Sequence, residues 1–223
     1  MKAIIRLYGD KEGLAEQIRE QIPDVPPFYI FSKCLDTSII FDDIPQDMYL
    51  DVCDLLEGRI YSDKDVSLEE TLVDFLASNE LVMSTAESCT GGLLSSSIIN
   101  VSGASAVFYE GIVSYSNEAK MDRLDVSKET LDTYGAVSAE TAKEMVLGLV
   151  NDKIDVAVST TGIAGPLGGT PEKPVGLVYI GITFRGNPPE AYKYVFSGGR
   201  EQIRQSAKNT ALFLTWQYLK DNL

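Results

Sequence analysis

The sequence contains no histidine, and this absence restricts its chemistry more than any other feature. Without an imidazole, the Ser-His and Cys-His arrangements of common hydrolases and every histidine metal site are excluded. There are three cysteines, Cys34, Cys53 and Cys89, and none forms a CxxC pair, so we expect no zinc site built by the protein. Acid–base chemistry must therefore come from Lys, Tyr, Asp, Glu or Cys side chains.

Basic residues and long apolar runs are also scarce. The 19 Lys and Arg residues face 33 Asp and Glu residues, which gives a formal net charge of −14. This charge repels phosphate backbones and anionic bilayers, so we expect no nucleic-acid or membrane partner. No stretch reaches the roughly 20 apolar residues of a membrane span. Unpaired cysteines in odd number are typical of a reducing compartment, and a soluble cytoplasmic protein is predicted.

The hydrophobic pattern predicts two successive α/β domains. In residues 1–65 the hydrophobic residues alternate between strand and helix spacing, which predicts a small domain. The polar segment YSDKDVS is the predicted linker at its end. Residues 66–223 predict a layered α/β/α domain with a mixed sheet, because strands and helices alternate along it. Its predicted strands are 81–86, 107–115, 155–161, 176–184 and 191–196, and its predicted helices are 92–100, 117–124, 128–134, 138–150 and 203–219.

The stretch TAESCTGGLLSS, residues 85–96, predicts a strand, a tight turn and a helix. Such a turn raises a side chain above the sheet edge, and the unpaired amides that begin the helix can bind an oxyanion. Ser88 and Cys89 are the candidate nucleophiles, with Glu87 as a neighbouring carboxylate. The alternative is a structural role in which the hydroxyls cap the helix and the thiol packs in the core.

The stretch GIVSYSNEAKMDRL, residues 111–124, places Tyr115 and Lys120 at a strand end and in the first turn of a helix. The positive end of the helix dipole, together with burial, would lower the pKa of the lysine and let it accept a serine proton. The alternative is a solvated surface lysine beside a core tyrosine.

Two further stretches contain possible anion-binding groups. Residues 159–176, STTGIAGPLGGTPEKPVG, form a long glycine- and proline-rich loop of the kind that is usually functional, and Lys173 lies in it. Arg200 and Arg204 share one face at the start of the last helix and suit a phosphate or carboxylate. All three cations can equally be solvated surface residues.

In this order and spacing, TAESCTGG, YSNEAK, GAVS, TGIAGP, GGTPEKPVG and FSGGR-x-x-x-R resemble the C-terminal domain of the competence/damage-inducible CinA family. The likeness covers residues 66–223, and residues 1–65 are similar to the KH-type domain of full-length CinA. The family's large molybdopterin-binding-like domain, which is linked to ADP-ribose pyrophosphatase activity, has no counterpart here, and that reaction is not expected.

The resemblance implies an amidohydrolase that converts nicotinamide mononucleotide (NMN) to nicotinate mononucleotide and ammonia in pyridine nucleotide salvage, without metal or cofactor. It implies Ser88 as nucleophile, Lys120 as base, Tyr115 as an assisting group, and a homo-oligomer. The oxyanion would be bound by the turn of Cys89, Thr90, Gly91 and Gly92. The substrate would be bound by Glu87, Thr161, Gly162, Gly165, Gly169, Thr170, Lys173, Arg200 and Arg204.

Departures from the family pattern affect substrate fit more than chemistry. Gly199 stands where relatives commonly carry Asp, and Leu167 where they often carry a small or acidic residue. The N-terminal domain has Gly9-x-x-x-Gly13 instead of the nucleotide-clamping GxxG loop, which favours a structural or dimerisation role. Two alternatives stay open: Cys89 as the nucleophile, and a catalytically inactive nucleotide-binding or interaction module.

Overall fold

The computed structural model describes all 223 residues as two compact units, Met1–Thr71 and Leu72–Leu223. The division lies slightly after the boundary that the sequence predicts, 65/66. No helix in either unit combines the length and apolar composition needed to cross a membrane.

The first unit is built on a four-stranded antiparallel sheet with the order β2-β3-β1-β4. Two helices pack on it, and their apolar faces enclose a core with Ile5, Leu7, Ile39 and Phe41. Its elements are β1 (Ala3–Tyr8), α1 (Leu14–Gln21), β2 (Phe28–Lys33), β3 (Asp36–Phe41), α2 (Gln46–Leu55) and β4 (Ile60–Ser62).

Strand β4 corrects the prediction of a linker that begins at Tyr61. The Tyr61 ring is buried, and its hydroxyl donates to Asp36 Oδ1 at 2.6 Å. Arg6 Nε donates to the same hydroxyl at 2.9 Å. These partners lie far away in sequence, so a pattern of polar residues gave no sign of them.

The second unit contains the five-stranded mixed sheet that the sequence predicts, with the order β6-β5-β7-β8-β9. Strand β5 is parallel to β6 and β7, whereas β8 and β9 form the predicted antiparallel hairpin. The strands are β5 (Met83–Glu87), β6 (Phe108–Val113), β7 (Val156–Gly162), β8 (Leu177–Phe184) and β9 (Glu190–Val195). The helices are α3 (Leu68–Ser78), which begins just before this unit, α4 (Leu93–Ile99), α5 (Asn117–Leu124), α6 (Lys128–Tyr134), α7 (Ala139–Leu147) and α8 (Arg200–Asn222).

Helices cover both faces of this sheet. Thr85 of β5 contacts Ser95 of α4 through their hydroxyls, 2.8 Å apart, while the next residue, Ala86, packs in a core with Met145 and Val146 of α7. Because successive strand residues point to opposite faces, α4 and α7 lie on opposite sides. The layered α/β/α architecture is therefore present.

Serine caps determine where several helices begin. Ser116, Ser127 and Ser138 each accept a hydrogen bond from the amide three residues later, at the starts of α5, α6 and α7. Ser67 and Glu70 exchange the two bonds of a capping box at α3. These short-range signals explain why the predicted bounds of α5 and α6 agree with the structure.

The parallel strands bring three separate sequence motifs to one edge. Strands β5, β6 and β7 all end on the same side of the sheet, and Ser88, Tyr115 and the loop after Gly162 follow these ends. The C-terminal edge of parallel strands is the usual place for a ligand site in such sheets.

Candidate active site

A cavity of about 250 Å³ lies where these strand ends meet. Five of the six motifs singled out in the sequence contribute to it, the last through Arg200, the first residue of α8. Its lining residues are Ser88, Cys89, Tyr115, Lys120, Ala136, Val137, Thr161, Gly162, Ala164 and Arg200.

The central contact in this cavity joins Lys120 to Ser88. Lys120 Nζ lies 3.0 Å from Ser88 Oγ, and it donates to the backbone oxygens of Ser114 at 2.8 Å and Tyr115 at 3.3 Å. The lysine is fully buried and Ser88 is 8% exposed. The reading of Lys120 as a solvated surface residue is therefore wrong.

Burial lowers the pKa of Lys120 to about 8, because an ammonium group is poorly solvated in the interior. The sequence pointed to the dipole of α5 and to burial, and burial is the main cause. A neutral amine has two hydrogens and one lone pair. The carbonyls of Ser114 and Tyr115 can accept the two hydrogens, which leaves the lone pair directed at the Ser88 hydroxyl.

Burial has the opposite effect on the pKa of the Cys89 thiol. Cys89 is buried, and desolvation raises its pKa to about 12. Since the thiolate is the nucleophilic form, a thiol with this pKa is a poor nucleophile near neutral pH. The geometry therefore favours Ser88 over Cys89.

Glu87 does not face the cavity, which corrects its expected substrate contact. Its carboxylate is fully buried and accepts bonds from the amides of Gly92, Leu94 and Ser95 and from the Ser95 hydroxyl. Glu87 thus neutralises the positive end of α4 and holds the turn.

The same contacts reduce the set of amides available to an oxyanion. The amide of Gly92 donates to Glu87 at 2.8 Å, and the amide of Ser88 donates to Thr160 at 2.9 Å. Gly92 is therefore removed from the predicted set. The amides of Cys89, Thr90 and Gly91 have no backbone acceptor.

Tyr115 lines the mouth of the cavity with its side chain 65% exposed. Arg200 lies beside it, with Nη2 3.4 Å from the tyrosine hydroxyl, and Arg200 Nη1 donates to the Gly165 carbonyl at 2.8 Å. The predicted Arg200 is thus placed at the site, held by the glycine-rich loop.

Arg204 lies behind the turn instead of in the cavity. Its Nε donates to the carbonyl of Cys89 at 3.1 Å and its Nη2 to the carbonyl of Thr90 at 2.6 Å. Because Nε and Nη2 already donate to backbone carbonyls and the residue does not line the cavity, the structure does not support its predicted contact with substrate.

The long loop contributes Thr161, Gly162 and Ala164 to the cavity wall, whereas the predicted residues Gly169, Thr170 and Lys173 do not line it. Thr170 and Lys173 form a tight turn, in which the Thr170 amide donates to the Lys173 carbonyl at 2.8 Å. A side chain at Gly169 would place Cβ 2.8 Å from the Val175 amide nitrogen. The expected substrate contacts of Gly169, Thr170 and Lys173 are thus corrected.

Thr161 and Lys173 also hold residues 134–137, a segment to which the sequence assigned no role. Thr161 Oγ1 donates to the Ala136 carbonyl at 2.6 Å, and Lys173 Nζ donates to Tyr134 at 2.6 Å and Val137 at 2.8 Å. Ala136 and Val137 form a wall of the cavity. The motif GAVS marked this segment, but small apolar residues carry no chemical signal.

The charged residues that line the cavity are both cationic, Lys120 and Arg200. Lys120 has no carboxylate partner, so the cavity suits an anionic ligand although the chain carries a net charge of −14. No group of three or more His, Cys, Asp or Glu side chains is placed to hold a metal ion.

The chain is similar to known proteins in sequence and in fold. A family model described as the CinA C-terminal domain matches residues 65–219. A CinA-like protein of Kosmotoga olearia is 43% identical over 94% of this chain and 54% of its own length. A putative competence-damage inducible protein of Clostridium tetani is 49% identical over 78% of this chain and 41% of its own length. The chain therefore spans about half the length of these curated relatives.

Solved structures show the same likeness in three dimensions. The competence/damage inducible protein CihA of Agrobacterium tumefaciens superposes with a TM-score of 0.64 at 39% identity, over 73% of this chain and all of that one. A CinA superfamily protein of Klebsiella pneumoniae gives 0.66 at 33% identity, over 69% and 96% of the two chains. The family match, the sequence relatives and the shared fold together show that this chain belongs to the CinA C-terminal domain family.

Proposed function

We propose that the chain hydrolyses the carboxamide of NMN, with Ser88 as nucleophile and Lys120 as general base. One observation carries this proposal: a fully buried lysine, without a carboxylate partner, lies 3.0 Å from a serine at the end of a parallel strand. A binding-only site gives no reason to bury an ammonium group beside a hydroxyl, because that burial costs free energy.

The first half of the proposed reaction forms an acyl-enzyme. The Lys120 amine takes the Ser88 proton while Oγ attacks the amide carbon, and the carbonyl electron pair moves onto oxygen. The oxyanion is stabilised by amides of the turn that donate to no backbone carbonyl. When the intermediate collapses, the C–N bond breaks, and the leaving nitrogen takes a proton from the Lys120 ammonium or the Tyr115 hydroxyl and departs as ammonia.

The second half releases the acid. Lys120, neutral again after protonating the leaving group, takes a proton from water as the water oxygen attacks the ester carbon. The new tetrahedral intermediate uses the same amides and expels Ser88 Oγ, which recovers its proton from Lys120. When Tyr115 protonates the leaving nitrogen instead, its phenolate takes the proton from the Lys120 ammonium, so that Lys120 is again neutral before water attacks. No step needs a metal ion.

The cavity also supports an anionic nucleotide as substrate. The Arg200 guanidinium at the mouth can pair with a phosphate, and the backbone of Gly162–Gly165 can contact the ribose. The acyl group to be transferred would then lie between Ser88 and the wall of Ala136 and Val137. The choice of NMN itself rests on the family resemblance.

Ammonia release from NMN, nicotinamide riboside and nicotinamide tests this substrate assignment. We expect NMN to react fastest, because the other two lack the phosphate. Arg200→Ala should raise KM for NMN by about 10-fold or more while changing kcat little, which is the effect of losing a charged anchor. If none of the three compounds releases ammonia above background, the chain is a binding module and the enzyme proposal fails.

A further inference from the structure

Arg204 is the one predicted anion-binding arginine that the proposed function leaves unused. Its guanidinium reaches from the first turns of α8 to the loop that carries the nucleophile, with Nε on the Cys89 carbonyl and Nη2 on the Thr90 carbonyl. These carbonyls belong to two consecutive peptide units, Cys89–Thr90 and Thr90–Gly91, which begin one residue after Ser88.

Peptide geometry determines what these two bonds do. The structure's cis peptide is Gly165–Pro166, so the peptides after Cys89 and Thr90 are trans. In a trans peptide the C=O and the following N–H point in opposite directions. Arg204 holds both carbonyls on its own side and thereby turns the amides of Thr90 and Gly91 away from itself.

The other contacts of the turn fix its ends. The Ser88 amide is bonded to Thr160 and the Gly92 amide to Glu87. The Thr90 hydroxyl lies 2.6 Å from the Thr160 hydroxyl. The Thr90 carbonyl also accepts the Leu93 amide at 3.3 Å, whereas the Cys89 carbonyl accepts no backbone amide. Arg204 thus shares the Thr90 carbonyl with Leu93 and is the anchor of the Cys89 carbonyl.

Gly91 shows that the approach of the guanidinium is close. This residue has φ +60°, a backbone conformation that L side chains rarely adopt, and a Cβ there would lie 3.2 Å from Arg204 Nη2. The turn thus leaves room for the arginine.

We propose that Arg204 is a positioning residue that directs the amides of Thr90 and Gly91 toward the oxyanion formed at Ser88. This inference rests on the proposed function. The planar guanidinium suits the task because its donors match two acceptors at once. A positive charge on the carbonyl side also polarises each peptide unit and makes its N–H a stronger donor.

The experiment compares Arg204→Ala and Arg204→Lys with Arg200→Ala and with a control at an exposed arginine, Arg123→Ala. For Arg204→Ala we expect kcat for NMN to fall about 10- to 100-fold, somewhat less than the loss of an oxyanion donor itself, while KM stays nearly constant. Added guanidinium ion should restore part of the rate, and Arg204→Lys should be intermediate. Arg123→Ala should behave as wild type.

A second readout separates failure of this inference from failure of the proposed function. An alkyl fluorophosphonate labels an activated serine, and its phosphoryl oxygen needs the same amides, so intact-mass measurements of Ser88 labelling do not depend on NMN. Slower labelling of Arg204→Ala than of wild type, at equal melting temperature, supports the inference even if NMN is not a substrate.

Four outcomes overturn the inference. One is unchanged kcat and labelling rate in Arg204→Ala. Another is a raised KM at constant kcat, which would make Arg204 a substrate anchor like Arg200. The third is a loss of rate that guanidinium does not restore and that accompanies a lower melting temperature, since that indicates only a structural role. Absence of any labelling in the wild type contradicts it as well.

Discussion

At the scale of single residues, the site depends on a lysine whose pKa is lowered by burial to about 8. In a chain without histidine, Lys120 is the group whose lowered pKa lies nearest the working range of a general base. Its two carbonyl partners fix the direction of the amine, and they add no negative charge that would keep it protonated. In the proposed reaction, this environment gives Lys120 the role of base that an imidazole has in many hydrolases.

The first prediction concerns pH. Because the neutral form of Lys120 is the base, kcat/KM should fall about tenfold per pH unit below a pKa of about 8 and level off above it. The measurement is the pH–rate profile of ammonia release. A profile that is flat between pH 6 and 9, roughly one unit or more on each side of that value, would contradict the assignment of Lys120 as base.

The same pKa shift predicts a stability effect of definite sign. The pKa of Lys120 is lower in the folded chain than in the unfolded chain, so the unfolded chain binds more protons between about pH 8 and about 10.4. The contribution of Lys120 to the free energy of unfolding therefore increases as the pH rises through that window. Below about pH 8 the buried ammonium carries its full cost. Lys120→Met should therefore be more stable than wild type at pH 7, and urea unfolding at pH 7 and 9.5 should show that this gain shrinks at the higher pH. A gain that grows with pH would contradict the sign.

The two candidate nucleophiles give opposite expectations. Cys89 has a thiol whose pKa is raised to about 12, so Cys89→Ala should retain most of the ammonia-release rate. Iodoacetamide should label Cys89 slowly in the folded protein, for the same reason. If Cys89→Ala loses activity while Ser88→Ala keeps it, the thiol is the nucleophile.

At the scale of elements, the turn between β5 and α4 is held from three directions. Glu87 binds the amides at the start of α4, Thr160 of β7 binds the Ser88 amide, and Arg204 of α8 binds two carbonyls. Only the first of these contacts is local in sequence. Preorganised groups of this kind are what electrostatic stabilisation of an oxyanion requires.

Strand β6 supports this turn at Gly111. A Cβ at Gly111 would lie 2.2 Å from Ser95 Oγ, the hydroxyl that donates to Glu87. Gly111→Ala should therefore cost about 1–3 kcal/mol in the free energy of unfolding, the usual range for overpacking, and also lower kcat. Glu110→Ala, an exposed neighbour, is the matched control in urea unfolding. Equal stability of the two variants would contradict this packing argument.

Helix starts and strand ends were predictable, whereas side-chain partners were not. The α5 and α6 bounds follow from serine caps a few residues away, and the meeting of Ser88, Tyr115 and Lys120 at one cavity agrees with the order of parallel strands. In contrast, Arg204 and Lys173 read as free cations. Their acceptors are backbone carbonyls distant in sequence, and every residue has a carbonyl, so no pattern of residue types reveals them.

At the scale of the whole molecule, all residues of the cavity belong to the unit Leu72–Leu223. This unit coincides closely with the part that matches the CinA C-terminal domain, residues 65–219. The chain is strongly acidic, yet the cavity presents Lys120 and Arg200. The charge at the site is thus opposite in sign to that of the chain.

The measurement that tests the account most directly is ammonia release from NMN by the wild type, Ser88→Ala and Lys120→Met, with product identified as nicotinate mononucleotide. We predict one ammonia per nicotinate mononucleotide for the wild type and at least a roughly 10³-fold lower rate for each variant, because nucleophile and base act as a unit. Retention of the wild-type rate by Ser88→Ala would contradict the account.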